Sequence, residues 1–303
     1  MHSKRINLNI LAVIIGITGW TSFALTDTTM KFVATHYNQS FILLVEGAIG
    51  TLICYIWLFV KYKNHRYDRT RLKWHILRGI TVAVNAIFIL TAISRIPLAD
   101  FYSIAFLSPL FLTAGSALIF KEKLRSSRVL AIGLGFAGII VLAGPQFASF
   151  NIGIIFAFCA SILLATSNLI AKKIGEDDPL PLYALTPFVF IMISNIPLFA
   201  LNYEIPEFKP QLIWVFVIPL LVMIGQICVA QAFARAPSAS AVAPFCYIQL
   251  LWGTIFGYFI FGDLPGNATI LGGSMVVAAG VYLITSEKKH FLKQGVELTP
   301  PVS

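Results

Sequence analysis

Ten stretches of mostly apolar residues follow one another along the chain, at about 7–30, 40–60, 74–94, 97–120, 127–144, 150–171, 181–201, 211–233, 238–261 and 267–286. A helix rises 1.5 Å per residue, so about 20 residues cross the ~30 Å hydrocarbon core of a bilayer. Inside that core every backbone N–H and C=O needs a partner, which leaves only helices or closed barrels. Barrel strands alternate apolar and polar residues in short segments, and these runs do not. The pattern predicts an all-α integral membrane protein with ten transmembrane helices. Composition agrees: 58% of the 303 residues are hydrophobic and 12% are charged, against about 45–50% apolar in a soluble domain.

The breaks between runs are charged or turn-like, among them "HYNQ", "RIP", "KEKLRSSR", "KKIGEDDP", "NYEIPEFKP" and "GDLPGN". The net charge of +9 would suggest nucleic acid as a partner for a soluble chain. Here the basic residues fill alternate gaps, so they set topology and touch membrane lipid instead. With the N-terminus inside, the outer loops hold only Arg95 and Lys209 as basic residues. That asymmetry predicts that the N- and C-termini are cytoplasmic. A cleaved leader is the alternative for the first run, with Lys4 and Arg5 ahead of it and "SFA" at 22–24 as a loose cleavage site. Four scattered cysteines, Cys54, Cys159, Cys228 and Cys246, suit neither a disulfide framework nor a metal site.

The chain repeats itself. "AISRIPLADFYSIAFLSPL" from Ala92 aligns with "AFARAPSASAVAPFCYIQL" from Ala232, "FKEKL" at 120–124 with "FGDLP" at 261–265, and "GIIVL" at 138–142 with "GVYLI" at 280–284. Each copy holds five spans. Five is odd, so the second copy enters the membrane from the other side. The expectation is two inverted five-helix repeats, residues 1–146 and 147–287, followed by a cytoplasmic tail at 288–303. Inverted repeats are the architecture of many secondary transporters, whose two halves rock about a midplane site.

These residues carry a family resemblance. "RGI" at 78–80, "A-x-x-RIPLAD" before the fourth span, "SPLF" at 108–111, "GLGFAGIIVLAGP" in the fifth, "AQAFARAPSASAVAPFCYIQLLWG" and "FGDLP" together resemble the drug/metabolite transporter superfamily, EamA type. The resemblance implies ten helices around a cavity lined by spans 1, 3, 4, 6, 8 and 9, with spans 5 and 10 as scaffold and no ATP site. "D-x-x-x-K" at 27–31 is further similar to the S-adenosylmethionine uptake branch. That branch has a basic residue in its second span, where this chain has Glu46.

Few ionisable groups lie in or beside the runs. Asp27, Lys31, Glu46, Arg95 and Asp100 are expected to converge on an outer vestibule, in gating or proton coupling. An Asp27–Lys31 i,i+4 ion pair at the interface is the plainer reading. Arg78 is expected to snorkel to the cytoplasm or tie its span to a neighbour. The candidate substrate-binding residues are Trp20, Asn85, Tyr102, Phe106, Asn168, Gln226, Tyr247 and Trp252. Amides and hydroxyls bind carboxylates or amines, and aromatic rings stack on rings or hold cations. Each could instead join helices. The five histidines are expected in loops or at helix ends, without a relay.

No nucleophile–base set, metal site or cofactor motif is present, so an enzyme is not expected. The expected function is secondary active transport of a small polar metabolite across the inner membrane. The leading class is an amino acid or an amino-acid/nucleoside derivative such as S-adenosylmethionine. The alternatives are a ring-bearing vitamin such as riboflavin, an amino-acid or drug exporter, and a receptor or scaffold without turnover. The pattern is silent on oligomeric state, and a monomer suffices.

Overall fold

The computed structural model describes residues 2–63, 69–119, 130, 133–138, 140–141, 151–174, 178–201, 206–235, 246 and 248–293. Every regular element among them is helical: α1 (His2–Val33), α2 (Gln39–Lys61), α3 (Arg69–Ile93), α4 (Leu98–Ala105), α5 (Ser108–Ile119), α6 (Ile152–Ile174), α7 (Leu180–Leu201), α8 (Leu212–Arg235), α9 (Ile248–Phe256) running into a π-helical turn (Gly257–Phe261), and α10 (Asn267–Lys293). Among the described residues, five helical stretches are long and apolar enough to cross a membrane, within α2, α3, α6, α7 and α8. The expected fifth span, the "KEKLRSSR" loop and the end of the tail fall largely or wholly outside the described residues.

Helix starts follow local chemistry. The Asn38 side chain accepts from Ser40 N at 3.0 Å and opens α2. Asn151 does the same for α6 through Gly153 N at 2.9 Å. Each supplies an acceptor to a helix N–H that has no carbonyl partner.

The run 97–120, read above as one helix, is two. Phe106 and Leu107 form a turn between α4 and α5. The cause is in the sequence: Pro109 has no N–H to give the Ala105 carbonyl, so the α-helical ladder cannot continue through that position. Leu107 N instead takes the Ile104 carbonyl at 3.0 Å, and Leu110 N takes the Leu107 carbonyl at 2.9 Å. Discontinuous spans of this kind form the sites of many carriers.

Packing joins the two halves of the chain. α1 lies on α8, α3 on α6, and α2 on α7; α3 also meets α7 and α2 meets α8, while α4 meets α9. Each of these pairings has a counterpart when span n is exchanged with span n+5. α1 on α8 maps to α6 on α3, and α2 on α8 maps to α7 on α3. Small residues allow the close crossings. Gly19 lies against Cys228 and Val229, and Gly225 against the Phe23 ring.

At Gly47 a Cβ atom would come within 2.8 Å of the Phe188 carbonyl oxygen and of Met192 Cα. Those are backbone atoms that cannot turn aside. Gly47→Ala is therefore expected to destabilise the α2–α7 pair by about 1–3 kcal/mol, seen as a lower unfolding midpoint in detergent. An unchanged midpoint would mean that the helices separate there at no cost.

Candidate functional site

Polar groups gather at two levels of the bundle. The first lies near the end where α1 finishes. Asp27 is on α1 about 9 Å before Val33, and Glu46 is on α2 about 10 Å after Gln39, counting 1.5 Å per residue. Both are buried, at 8% and 2% exposure. The Asp27 carboxylate accepts from the Tyr102 hydroxyl at 2.8 Å. The Gln249 side chain lies beside the Tyr102 hydroxyl, so α1, α4 and α9 meet around one phenol. Gly253 lies directly against the Tyr102 ring, which lets α9 approach α4. Asp27 is close enough to Glu46 to act on it electrostatically. Glu46 Oε2 has no hydrogen-bond partner among the described residues.

Lys31 does not pair with Asp27. Its Nζ donates to Asp263 Oδ2 at 2.9 Å and to the Ile96 carbonyl at 3.2 Å, and it sits 4.8 Å from the centre of the Phe261 ring. Asp263 reaches it because Gly262 ends the π-helical turn at φ +71°. Gly262 N–H returns to the Tyr258 carbonyl at 3.1 Å, and Asp263 N–H to the Gly257 carbonyl at 2.9 Å. Glycine takes that left-handed conformation without the Cβ penalty.

The five groups expected to share a vestibule thus take different partners. Asp100 accepts from Thr269 on α10. Arg95 is exposed in the turn after α3 and donates to the Thr91 carbonyl of that helix at 2.9 Å. Asp27 and Glu46 remain near enough to act on one another.

The second level lies toward the start of α3. Arg78 is 6% exposed. It donates to the Tyr183 carbonyl at 2.6 Å and to Gln226 Oε1 at 3.1 Å, tying α3 to α7 and α8. It does not snorkel. His75, expected at a helix end, is fully buried in α3 and shares a 3.1 Å hydrogen bond with Asp178, which Arg71 also approaches at 3.7 Å. Asp178 was hidden in sequence by its place in a break, "GEDDP".

The candidate lining divides likewise. Trp20 and Asn85 are buried, and the Trp20 Nε1 and Asn85 Oδ1 atoms are without a hydrogen-bond partner among the described residues. Phe106 stacks on Tyr102 with centroids 6.3 Å apart. Trp252 stacks on Phe256 at 5.3 Å and donates to Thr21 Oγ1 at 3.0 Å. Gln226 belongs to the Arg78 level, and Asn168 is half-buried on α6. Tyr247 lies outside the described residues.

Against this geometry the comparisons are decisive for family. The profile of the EamA-like transporter family matches twice, over residues 10–144 and 151–286. The chain belongs to the EamA-like transporter family. It therefore carries two EamA repeats and is a multi-pass membrane protein of the drug/metabolite transporter superfamily.

Among relatives, this EamA protein is 24% identical to a riboflavin transporter of Vibrio cholerae over 90% of this chain and 92% of that one. It is 24% identical to an S-adenosylmethionine uptake transporter of Rickettsia prowazekii (88% and 90%) and 22% identical to a pseudopaline exporter of Pseudomonas aeruginosa (91% and 96%). A crystal structure of a protein 17% identical, covering 90% of this chain and 96% of its own, gives a TM-score of 0.63, a shared fold. Family membership supports a transport role for the chain. The geometry also brings in Asp263, Thr269, His75 and Asp178, which the sequence reading did not place in the site.

Proposed function

We propose that this EamA protein is a secondary active transporter. It moves a small polar metabolite across the inner membrane by alternating access between residues 1–146 and 147–287. These form two inverted five-helix halves with both termini, and the tail at 288–303, on the cytoplasmic side. The helix pairings exchange under a five-span shift, as an inverted repeat requires, and this supports the reading. So does the sorting of contacts by end: Tyr37 donates to the Glu207 carbonyl, Asn151 to the Arg95 carbonyl, and Lys31 to Asp263. All six residues lie at or near the outer end of a ten-span serpentine.

One observation carries the mechanism. Polar links join the first half to the second at both levels, Lys31 to Asp263 at one and Arg78 to Tyr183 and Gln226 at the other. Such links can be broken and remade in turn at modest cost. A carrier needs a closure on each side that differs between its two states. Substrate, in this reading, binds between the two levels among Trp20, Asn85, Tyr102, Phe106, Asn168, Tyr247 and Trp252. Gln226 belongs to the inner closure. Asp27 and Glu46 are the carboxylates poised for substrate or proton, and Lys31 gates.

An amino-acid/nucleoside derivative such as S-adenosylmethionine is the leading substrate, from the Asp27–Lys31 pattern and the Rickettsia relative. Riboflavin is second, favoured by the stacked Tyr102–Phe106 and Trp252–Phe256 rings. The test is counterflow in liposomes. Labelled S-adenosylmethionine or riboflavin should accumulate transiently when the same unlabelled compound is preloaded. Uptake of neither, with amino acids also inert, would remove the carrier reading.

A further inference from the structure

We infer that Asp27, Glu46 and Asn85 form an acceptor site for a substrate ammonium group, so that the transported class is a small organic cation or zwitterion carrying N–H donors. The inference rests on the transport reading for what occupancy leads to, while occupancy itself can be measured without flux.

The three residues come from three helices and one level. Asn85 lies on α3 about 12 Å before Ile93, against about 9 Å for Asp27 and 10 Å for Glu46 from the same end. α3 packs against both α1 and α2, and Asn85 lies at about the same depth as the other two. It shares a helix face with Arg78 and Thr81, and all three are buried.

Among the described residues this level leaves acceptors unmatched. Glu46 Oε2 and Asn85 Oδ1 are buried acceptors without a partner among the described residues, and Asp27 has the Tyr102 hydroxyl. A buried acceptor left unmatched is destabilising, because its lost hydration is not replaced. Among the described residues the nearby cations are engaged elsewhere: Lys31 with Asp263 and Ile96, Arg95 with the Thr91 carbonyl, Arg78 with Tyr183 and Gln226.

An ammonium group supplies three N–H donors and a positive charge. It can bond Glu46, Asn85 and Asp27 together, and it offsets the repulsion between two carboxylates. An anion would add to that repulsion. A hard dication takes six or more oxygens at octahedral or larger coordination, more than two carboxylates and one amide supply readily. A quaternary onium has the charge but no N–H for the two orphan acceptors.

The neighbouring face of α1 accommodates the rest of such a molecule. Trp20, Ala24, Asp27 and Lys31 are spaced by four, three and four residues, which puts them in one stripe. Trp20 lies about 10 Å deeper than Asp27, and its Nε1 is an unmatched buried donor. An ammonium at Asp27 and an apolar or ring-bearing body toward Trp20 would match this polarity.

The test is ligand-dependent thermal unfolding of the purified full chain in detergent. The probes are S-adenosylmethionine, lysine, tryptamine, choline, riboflavin and succinate at millimolar concentration. Stabilisation is expected from primary ammonium compounds, with affinity falling about ten- to hundredfold in Asp27→Asn and in Glu46→Gln. Glu46→Asp keeps the charge and should retain the same ranking with weaker binding, which covers the case of a Glu46→Gln chain that does not fold.

The proposal is overturned if no ammonium probe stabilises the chain, if binding survives both amide variants undiminished, or if choline matches the best primary amine. Ammonium-dependent binding without flux in liposomes would remove the transport reading and leave this site standing. Flux of a compound that lacks any ammonium requirement would do the reverse.

Discussion

Arg78→Ala should destabilise the folded chain by about 3 kcal/mol, read as a lower unfolding midpoint in detergent. The guanidinium is buried and serves two acceptors on two other helices, the Tyr183 carbonyl at 2.6 Å and Gln226 Oε1 at 3.1 Å. Truncation strands both acceptors, at about 1–3 kcal/mol each, and leaves a void where the side chain packed. Removal of a buried charge works in the opposite direction, which keeps the net below the simple total. Arg78→Lys should recover less than half, because one ammonium on a flexible stem cannot reproduce a planar fork aimed at two helices. An unchanged midpoint in Arg78→Ala would mean that the link between α3, α7 and α8 holds nothing together.

Much of this architecture could be read from the chain. Helix limits at Gln39–Lys61, Leu180–Leu201 and Leu212–Arg235 match the apolar runs within a few residues, because lipid forces the backbone to bond within its own segment. The scarcity of charge in the apolar runs alone singles out Asp27, Lys31, Glu46 and Arg78. Their partners were not legible.

Asp27 and Lys31 sit one turn apart and look like a pair, yet each finds a better match from another part of the chain. For Lys31 that match is Asp263, 232 positions away. Asp263 reads as turn chemistry in "GDLPGN", and Asp178 as loop chemistry in "GEDDP". Both are contacts between elements, and linear spacing carries no information about those. The interruption at Phe106 and Leu107 did have a signal, Pro109, which was outweighed by the length of the apolar run around it.

Lys31→Ala and Asp263→Asn should each cut counterflow several-fold, and the charge-reversed Lys31→Asp should nearly abolish it. The pair joins α1 to the loop after the π-helical turn, with side-chain exposures of 14% and 31%. A fully exposed pair contributes about 0–1 kcal/mol. This one is mostly sheltered, adds the Ile96 carbonyl at 3.2 Å and lies over the Phe261 ring, so a link of about 1–2 kcal/mol is reasonable. Every 1.4 kcal/mol shifts a two-state population about tenfold. Under the proposed alternating access, loss of the link would therefore bias the protein toward the outward-open state and slow the half-cycle that must close it.

Lys31→Asp opposes two carboxylates at the same point, which penalises closure instead of merely weakening it. The exchanged variant, Lys31→Asp with Asp263→Lys, restores opposite charges and should recover a substantial part of the rate, though not all, since an aspartate cannot donate to the Ile96 carbonyl. If the single variants transport normally, the pair is only a surface contact. If the exchange fails while both single charge-neutral variants remain partly active, Lys31 acts through Ile96 and Phe261 instead of through Asp263.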